Sequence, residues 1–217
     1  MVTYLACFIV CDFQYVETNT KAVKPFRVYA HAGPDQLSLA LGVDVLNYFE
    51  EYFKVEYPLP KQDMIAIPDF ISGAMEHWGL ITYRETNLLY DDLGSSSYNK
   101  QRVAAVVAHE LAHMWFGNLV TLEWWDDLWL NEGFASYIEY KGVANYEKDW
   151  DMGDGLGRAA HLPPKRAARN HPDEITEIFD TISYSKVEER METERLTKLW
   201  VFAPKRELFE WSHRDHK

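Results

Sequence analysis

The chain has 217 residues, 47% of them hydrophobic and 15% aromatic, with a formal net charge of −12. That is enough for one large domain with a sizeable core, and the acidic balance argues against a surface for nucleic acid or anionic membranes. The only cysteines, Cys7 and Cys11, cannot build a disulfide framework.

The opening stretch "MVTYLACFIVCDF" is apolar but has no basic leading region and no small-residue cleavage site, so it does not read as a signal peptide. Its apolar run is shorter than the roughly 20 residues that span a bilayer, and no other part of the chain reads as a membrane segment. The alternation of Tyr4, Ala6, Phe8 and Val10 with Leu5, Cys7 and Ile9 predicts a strand buried on both faces. "PDQLSLALGVDVLNYFEEYFKVEYPLP" predicts a helix, with Pro34 and Asp35 in its first turn and Leu41, Val45, Phe49 and Tyr52 at helical spacing. Pro58 and Pro60 end it. "MIAIPDF" and "GLITYRETNLLY" are strand-like in their β-branched and aromatic content, and "DDLGSSSYN" is a loop ending in helix-capping residues. A nearly continuous apolar helix follows over about residues 100–116 and stops at Gly117-Asn118. A second helix runs from near Asn131 to Gly142, with Glu132, Ser136 and Glu139 along one face. After Met152 a Gly, Pro and Arg-rich segment shows no period. "DEITEIFDTISYSK" is more orderly, and from Val187 the tail is densely charged.

The chemistry concentrates in "AHELAHMWFGN". At about 100° per residue, His109 and His113 fall about 40° apart on a helix, with Glu110 at the margin of the same strip. This is the H-E-x-x-H pattern, in which two imidazoles hold a metal and the glutamate acts as general base. A catalytic zinc takes three protein ligands and keeps one position open. Glu132, 19 residues after His113, stands in the first turn of the next helix and can supply the third. The bare motif arises by chance in about 1% of chains this long, so the added Glu132 in "NEGFASYIEY" is what makes an accidental pair of core histidines a poor explanation.

The stretch "HELAHMWFGNLVTLEWWDDLWLNEGFASYIEY" resembles the metal-binding segment of the gluzincin zinc aminopeptidases, of the membrane alanyl/glutamyl aminopeptidase type. "SGAMEHWGLITYRETNLLYD" resembles their exopeptidase segment, and "FDTISYSK" the stretch carrying their catalytic tyrosine. The resemblance covers roughly 2–152 and 172–186. It implies an α+β fold: a thermolysin-like zinc metallopeptidase catalytic domain with a small mixed sheet and a helical part. It also implies one zinc per chain on His109, His113 and Glu132, with Glu110 accepting the proton of the attacking water and Tyr184 donating to the tetrahedral oxyanion. Glu76 would bind the free α-amine of a peptide substrate, and Gly73, Ala74 and Met75 would line that peptide. On its own Glu76 reads better as a surface carboxylate and Tyr184 as a core aromatic; the flanking matches reverse both. Glu139 is a candidate to orient a zinc histidine, set against a solvated helix carboxylate. Full-length members of the family imply a possible homodimer and a plasma-membrane ectoenzyme or extracellular location.

The chain departs from the family at position 77, where His replaces the Asn of Gly-Ala-Met-Glu-Asn. A protonated His77 would weaken the negative potential beside Glu76, so activity is expected to fall as pH drops through roughly 6 to 7. The expected organisation is residues 1–16 as the last strand of an otherwise missing N-terminal β domain, 17–186 as the catalytic domain with 152–171 atypical, and 187–217 as a divergent charged tail. The function expected is zinc-dependent removal of N-terminal residues, with a lean toward acidic ones from Ser72. The alternatives are a zinc-binding but inactive truncated fragment and an endopeptidase using the same zinc chemistry, the latter opposed by Glu76.

Overall fold

The computed structural model describes residues 2–31, 33–122, 125 and 128–150, with the Trp129 side chain outside the description. Tyr184, the atypical segment 152–171 and the tail from 187 lie outside the described residues. Five strands form one mixed sheet: β1 (Gln14–Asn19), β2 (Pro25–Ala30), β3 (Gln62–Ile67), β4 (Ala74–Met75) and β5 (Leu80–Arg84). Their order is β1-β2-β3-β5-β4. The β2–β3 and β3–β5 pairs are parallel, while β1 and β4 join antiparallel at the two edges. Among the described residues three α-helices accompany the sheet: α1 (Gln36–Phe53), α2 (Ser97–Ala112) and α3 (Leu128–Tyr146). The α+β architecture expected from the sequence is the one observed.

The central strand β3 is buried from Gln62 to Ala66, as a strand covered on both faces should be. Phe26, Val28, Met64, Ile81 and Tyr83 of the sheet share one core with Leu41, Val45 and Phe49 of α1 and with Val107 and Leu111 of α2. Helix α1 starts at Asp35, whose carboxylate accepts from the Leu37 N–H at 2.9 Å, making it the cap rather than a first-turn residue. It ends at Lys54 in the left-handed region (φ 58°), before the prolines expected to end it. Helix α2 is capped by Ser96, which accepts from Asn99 N–H at 3.2 Å.

The opening segment differs from expectation. Residues 6–13 form no strand; a 3-10 turn at Thr3–Leu5 is followed by extended chain, and Phe8 and Val10 are 88% and 92% exposed. Alternating apolar residues favour an extended backbone, but a buried strand also needs a ladder partner and a covering layer, and no described residue supplies either. The first strand, β1, begins at Gln14 and runs across position 16.

Candidate active site

Helix α2 carries His109 and Glu110 in its last turn, with His113 as its C-cap. The backbone then takes a wider path. The N–H groups of Asn118, Leu119 and Val120 donate to the carbonyls of His113, Met114 and Trp115, bonds that reach back five residues. Gly117 makes this possible at φ +122°, and a Cβ there would lie 3.0 Å from His113 Nδ1. Phe116 of this turn stacks on Phe134 of α3 with ring centroids 3.5 Å apart. That contact sets the C-terminus of α2 against the first turns of α3, where Glu132 lies.

The two imidazoles are held from behind. His109 Nδ1 lies 2.7 Å from Glu139 Oε2, and His113 Nδ1 lies 2.8 Å from the Phe116 carbonyl oxygen. Both partners only accept, so each Nδ1 carries the proton and each Nε2 is turned inward. The inward atoms form a triangle with Glu132 Oε2. His109 Nε2 to His113 Nε2 is 3.1 Å, and the carboxylate oxygen lies 3.2 and 3.3 Å from them. Metal–ligand bonds of 2.0–2.1 Å in a tetrahedron put ligand atoms about 3.3–3.4 Å apart. The three donors are therefore spaced to hold a small divalent cation, and all three residues are buried.

The electrostatics point the same way. Burial alone would lower both histidines, yet hydrogen bonds to Glu132 and Glu139 hold His109 well above the ordinary imidazole range. For His113 the carboxylates of Glu76 and Glu132 overcome burial and raise it to about 9. Burial pushes Glu110 up to about 8, with the histidine charges opposing and Glu76 and Glu132 reinforcing. Burial also raises Glu76, with Glu132 adding to it against the His113 charge. Glu132 ends at about 2, since its histidine partners outweigh its own burial. Two imidazole Nε2 atoms and several carboxylates thus converge where positive charge is needed, supplied by protons in the metal-free chain. Glu110 Oε2 is buried without a hydrogen-bond partner among the described residues.

Glu76 comes from the sheet side. It follows the edge strand β4 and is buried at 7% exposure, which rules out the surface-carboxylate reading. Its carbonyl oxygen accepts from Asn118 Nδ2 at 2.8 Å, tying β4 to the turn after α2. Gly73 precedes the strand. Its carbonyl accepts from Arg84 N–H and from Asn87 Nδ2, each at 3.0 Å, and a Cβ on Gly73 would meet that amide nitrogen at 2.9 Å. The structure therefore brings Gly73, Ala74, Met75 and Glu76 into one element, β4 and its ends, with His109, Glu110, His113 and Glu132 on the helices beside it. The ninth expected position, Tyr184, lies outside the described residues. Asn118 was read in the sequence only as part of a helix stop; a contact spanning 42 positions leaves no local signal.

An α+β domain with H-E-x-x-H on one helix and a glutamate on the next has the architecture of a metallopeptidase catalytic domain. Residues 37–195 match the peptidase family M1 domain. The chain is 53% identical over 202 aligned positions to glutamyl aminopeptidase of Sus scrofa, and 54% identical over 202 to that of Bos taurus. It is 52% identical over 199 positions to aminopeptidase M1-A of Oryza sativa subsp. japonica. Each alignment takes in 86% of this chain and 21–23% of the relative, so the chain spans about a fifth of the length of the curated relatives it matches. The chain belongs to peptidase family M1.

Proposed function

We propose that this chain hydrolyses the N-terminal peptide bond of peptides with a free α-amine, using one zinc ion held by His109, His113 and Glu132. The observation that carries the reading is the triangle of inward-facing donors at 3.1, 3.2 and 3.3 Å, with the orphaned oxygen of Glu110 buried on the same helix. When bound, zinc supplies Lewis acidity toward water and the substrate carbonyl, and a positive charge that keeps Glu110 ionised. Glu110 then takes the proton of the attacking water and passes it to the departing amine. Glu76 binds the substrate's ammonium group, and its burial makes that ion pair stronger than one in water. Strand β4 ends the sheet, so its outer edge is suited to align an extended peptide. Tyr184 is the proposed oxyanion donor by resemblance.

A lean toward acidic N-terminal residues goes with this reading, from the hydroxyl of Ser72 immediately before Gly73 and from the relatives named glutamyl aminopeptidase. A cell-surface or extracellular setting and a homodimer belong to the same reading. Among the described residues no helix is long and apolar enough to cross a membrane. No observation at the site favours the inactive-fragment alternative.

The test is zinc content together with substrate choice. The purified chain should hold about one zinc per molecule, and should cleave a free-amine peptide but not its N-acetylated form. A folded chain with no zinc affinity overturns the metal site. Equal cleavage of both peptides removes Glu76 from amine recognition and restores the endopeptidase reading.

A further inference from the structure

The register of β4 on β5 covers Ala74 and Met75, so the ladder stops one residue short of Glu76. Downstream, Trp78 N–H donates to the Leu5 carbonyl at 3.1 Å and His77 Nδ1 lies 3.2 Å from Thr82 Oγ1, and neither contact reaches α2. Asn118 makes the link to the metal helix. Its Nδ2 donates to the Glu76 carbonyl at 2.8 Å, and its backbone N–H donates to the His113 carbonyl at 3.1 Å. A single residue therefore spans the amine-binding glutamate and a metal ligand. Gly117, at φ +122°, gives the chain the turn that brings Asn118 to β4, and Asn118 is buried there, with Nδ2 also 3.7 Å from Met114 Sδ. The amide has one orientation, because the flipped form would set its oxygen against the Glu76 carbonyl, acceptor facing acceptor. That orientation leaves Asn118 Oδ1 buried without a hydrogen-bond partner among the described residues, a cost that an apolar side chain would not carry. What the asparagine provides in return is the Nδ2 contact to Glu76.

We propose that Asn118 is a positioning residue for amine recognition: through its bond to the Glu76 carbonyl it sets the distance between that glutamate and the zinc site. The ammonium group and the carbonyl under attack belong to the same residue of the substrate, so the groups that hold them must keep a fixed separation. A drift of about 1 Å between them is enough to spoil the alignment. The contact needs the donor of the amide, which no apolar side chain of equal size offers. Loss of that side chain leaves the backbone bond from residue 118 to the His113 carbonyl in place. Substitution at Asn118 therefore separates amine recognition from metal binding. This inference rests on Glu76 as the amine-binding group.

The experiment measures, by calorimetry on the zinc-loaded full chain, the affinity for leucine hydroxamate and for isocaproyl hydroxamate, the same molecule without its amine. The parent should prefer the amine-bearing compound, and Asn118→Ala should lose about tenfold of that preference. Affinity for the amine-free compound, and zinc retention against a chelator, should be unchanged; a merely structural role would weaken both compounds and the metal together. Asn118→Leu keeps the volume and removes the donor. It should give the same loss, and it serves where Asn118→Ala lacks a cooperative melting transition. In a Glu76→Gln background the Asn118 substitutions should have no further effect on the preference, since they act through Glu76. A parent with no preference overturns the role of Glu76 and this inference with it. A parent with the preference, and variants that retain it in full or lose both compounds alike, overturn the role of Asn118 alone.

Discussion

Glu139 offers the sharpest test of how the metal site is built. Its Oε2 lies 2.7 Å from His109 Nδ1, within the short range of charge-assisted hydrogen bonds, and its side chain is 15% exposed. The contact does two separable things: it fixes which ring nitrogen carries the proton, and it places negative charge behind the imidazole, making Nε2 a better donor. Glu139→Gln keeps an acceptor and loses the charge. Glu139→Ala loses both and lets the ring turn. A hydrogen bond to a charged group is worth about 1.5–3 kcal/mol, and partners of ligating histidines typically govern 10–100-fold in metal affinity, or about 1.4–2.8 kcal/mol. Glu139→Gln should therefore weaken zinc binding about tenfold and Glu139→Ala about a hundredfold. Competition against a chromogenic chelator measures both, with circular dichroism confirming the fold. If both variants bind within about twofold of the parent, the contact does not tune the ligand and the tautomer argument fails.

Glu110→Gln should retain stoichiometric zinc while turnover falls by about 10²–10⁴; loss of metal would mean Glu110 is misassigned as a base. In the metal-free chain His113 sits at about 9 against an ordinary 6.5, so its stabilising contribution is whole below pH 6.5 and is lost as pH rises to 9. Glu110, at about 8 against 4.5, also costs stability as pH rises from 4.5 to 8. The melting temperature of chelator-treated protein should therefore fall from pH 6.5 to 9, and zinc should remove the fall; a flat metal-free profile refutes the assignment. Burial lowers the pKa of His77, whose Nδ1 lies 3.2 Å from Thr82 Oγ1, so the expected loss of activity moves to lower pH. His77→Asn should accordingly leave the profile of kcat/KM above pH 7 unchanged, and a clear shift there would show that His77 titrates against the substrate amine.

The helices were legible because each carries an apolar pattern at helical spacing, and their ends were not. Helix α2 begins at Ser97, three residues before the expected start, because Ser96 caps it; it stops at Ala112 because the wide turn through Gly117 takes over. Helix α3 runs from Leu128 to Tyr146, past Gly142, since tertiary packing overrides a single helix-weakening residue. Strands β1 and β2 were not anticipated, although Phe26, Val28 and Ala30 alternate as a strand with one buried face should. The opening segment misled because its alternation records a preference for extended backbone and says nothing about a partner. At the site, spacing alone places His109, Glu110 and His113 on one strip of helix. Glu139 stood barely above a solvated carboxylate until its distance was known, and Asn118 has no pattern that would mark it.

The burial of Glu76, Glu110 and Glu132 in one small volume is not a stability device. Burial makes the charged form of each carboxylate costly, and Glu76 and Glu132 add to the cost for Glu110. The metal-free chain meets that cost by binding protons, on the histidines and on Glu110, in a pH range where free side chains would have released them. A dication in the donor triangle supplies the missing positive charge without those protons, so metal binding must release them and must strengthen as pH rises. The groups that destabilise the metal-free fold above neutral pH are thus the groups that draw the metal in. Apolar residues at these positions would relieve the first effect and abolish the second, which is why a local conflict with core packing belongs at a functional site.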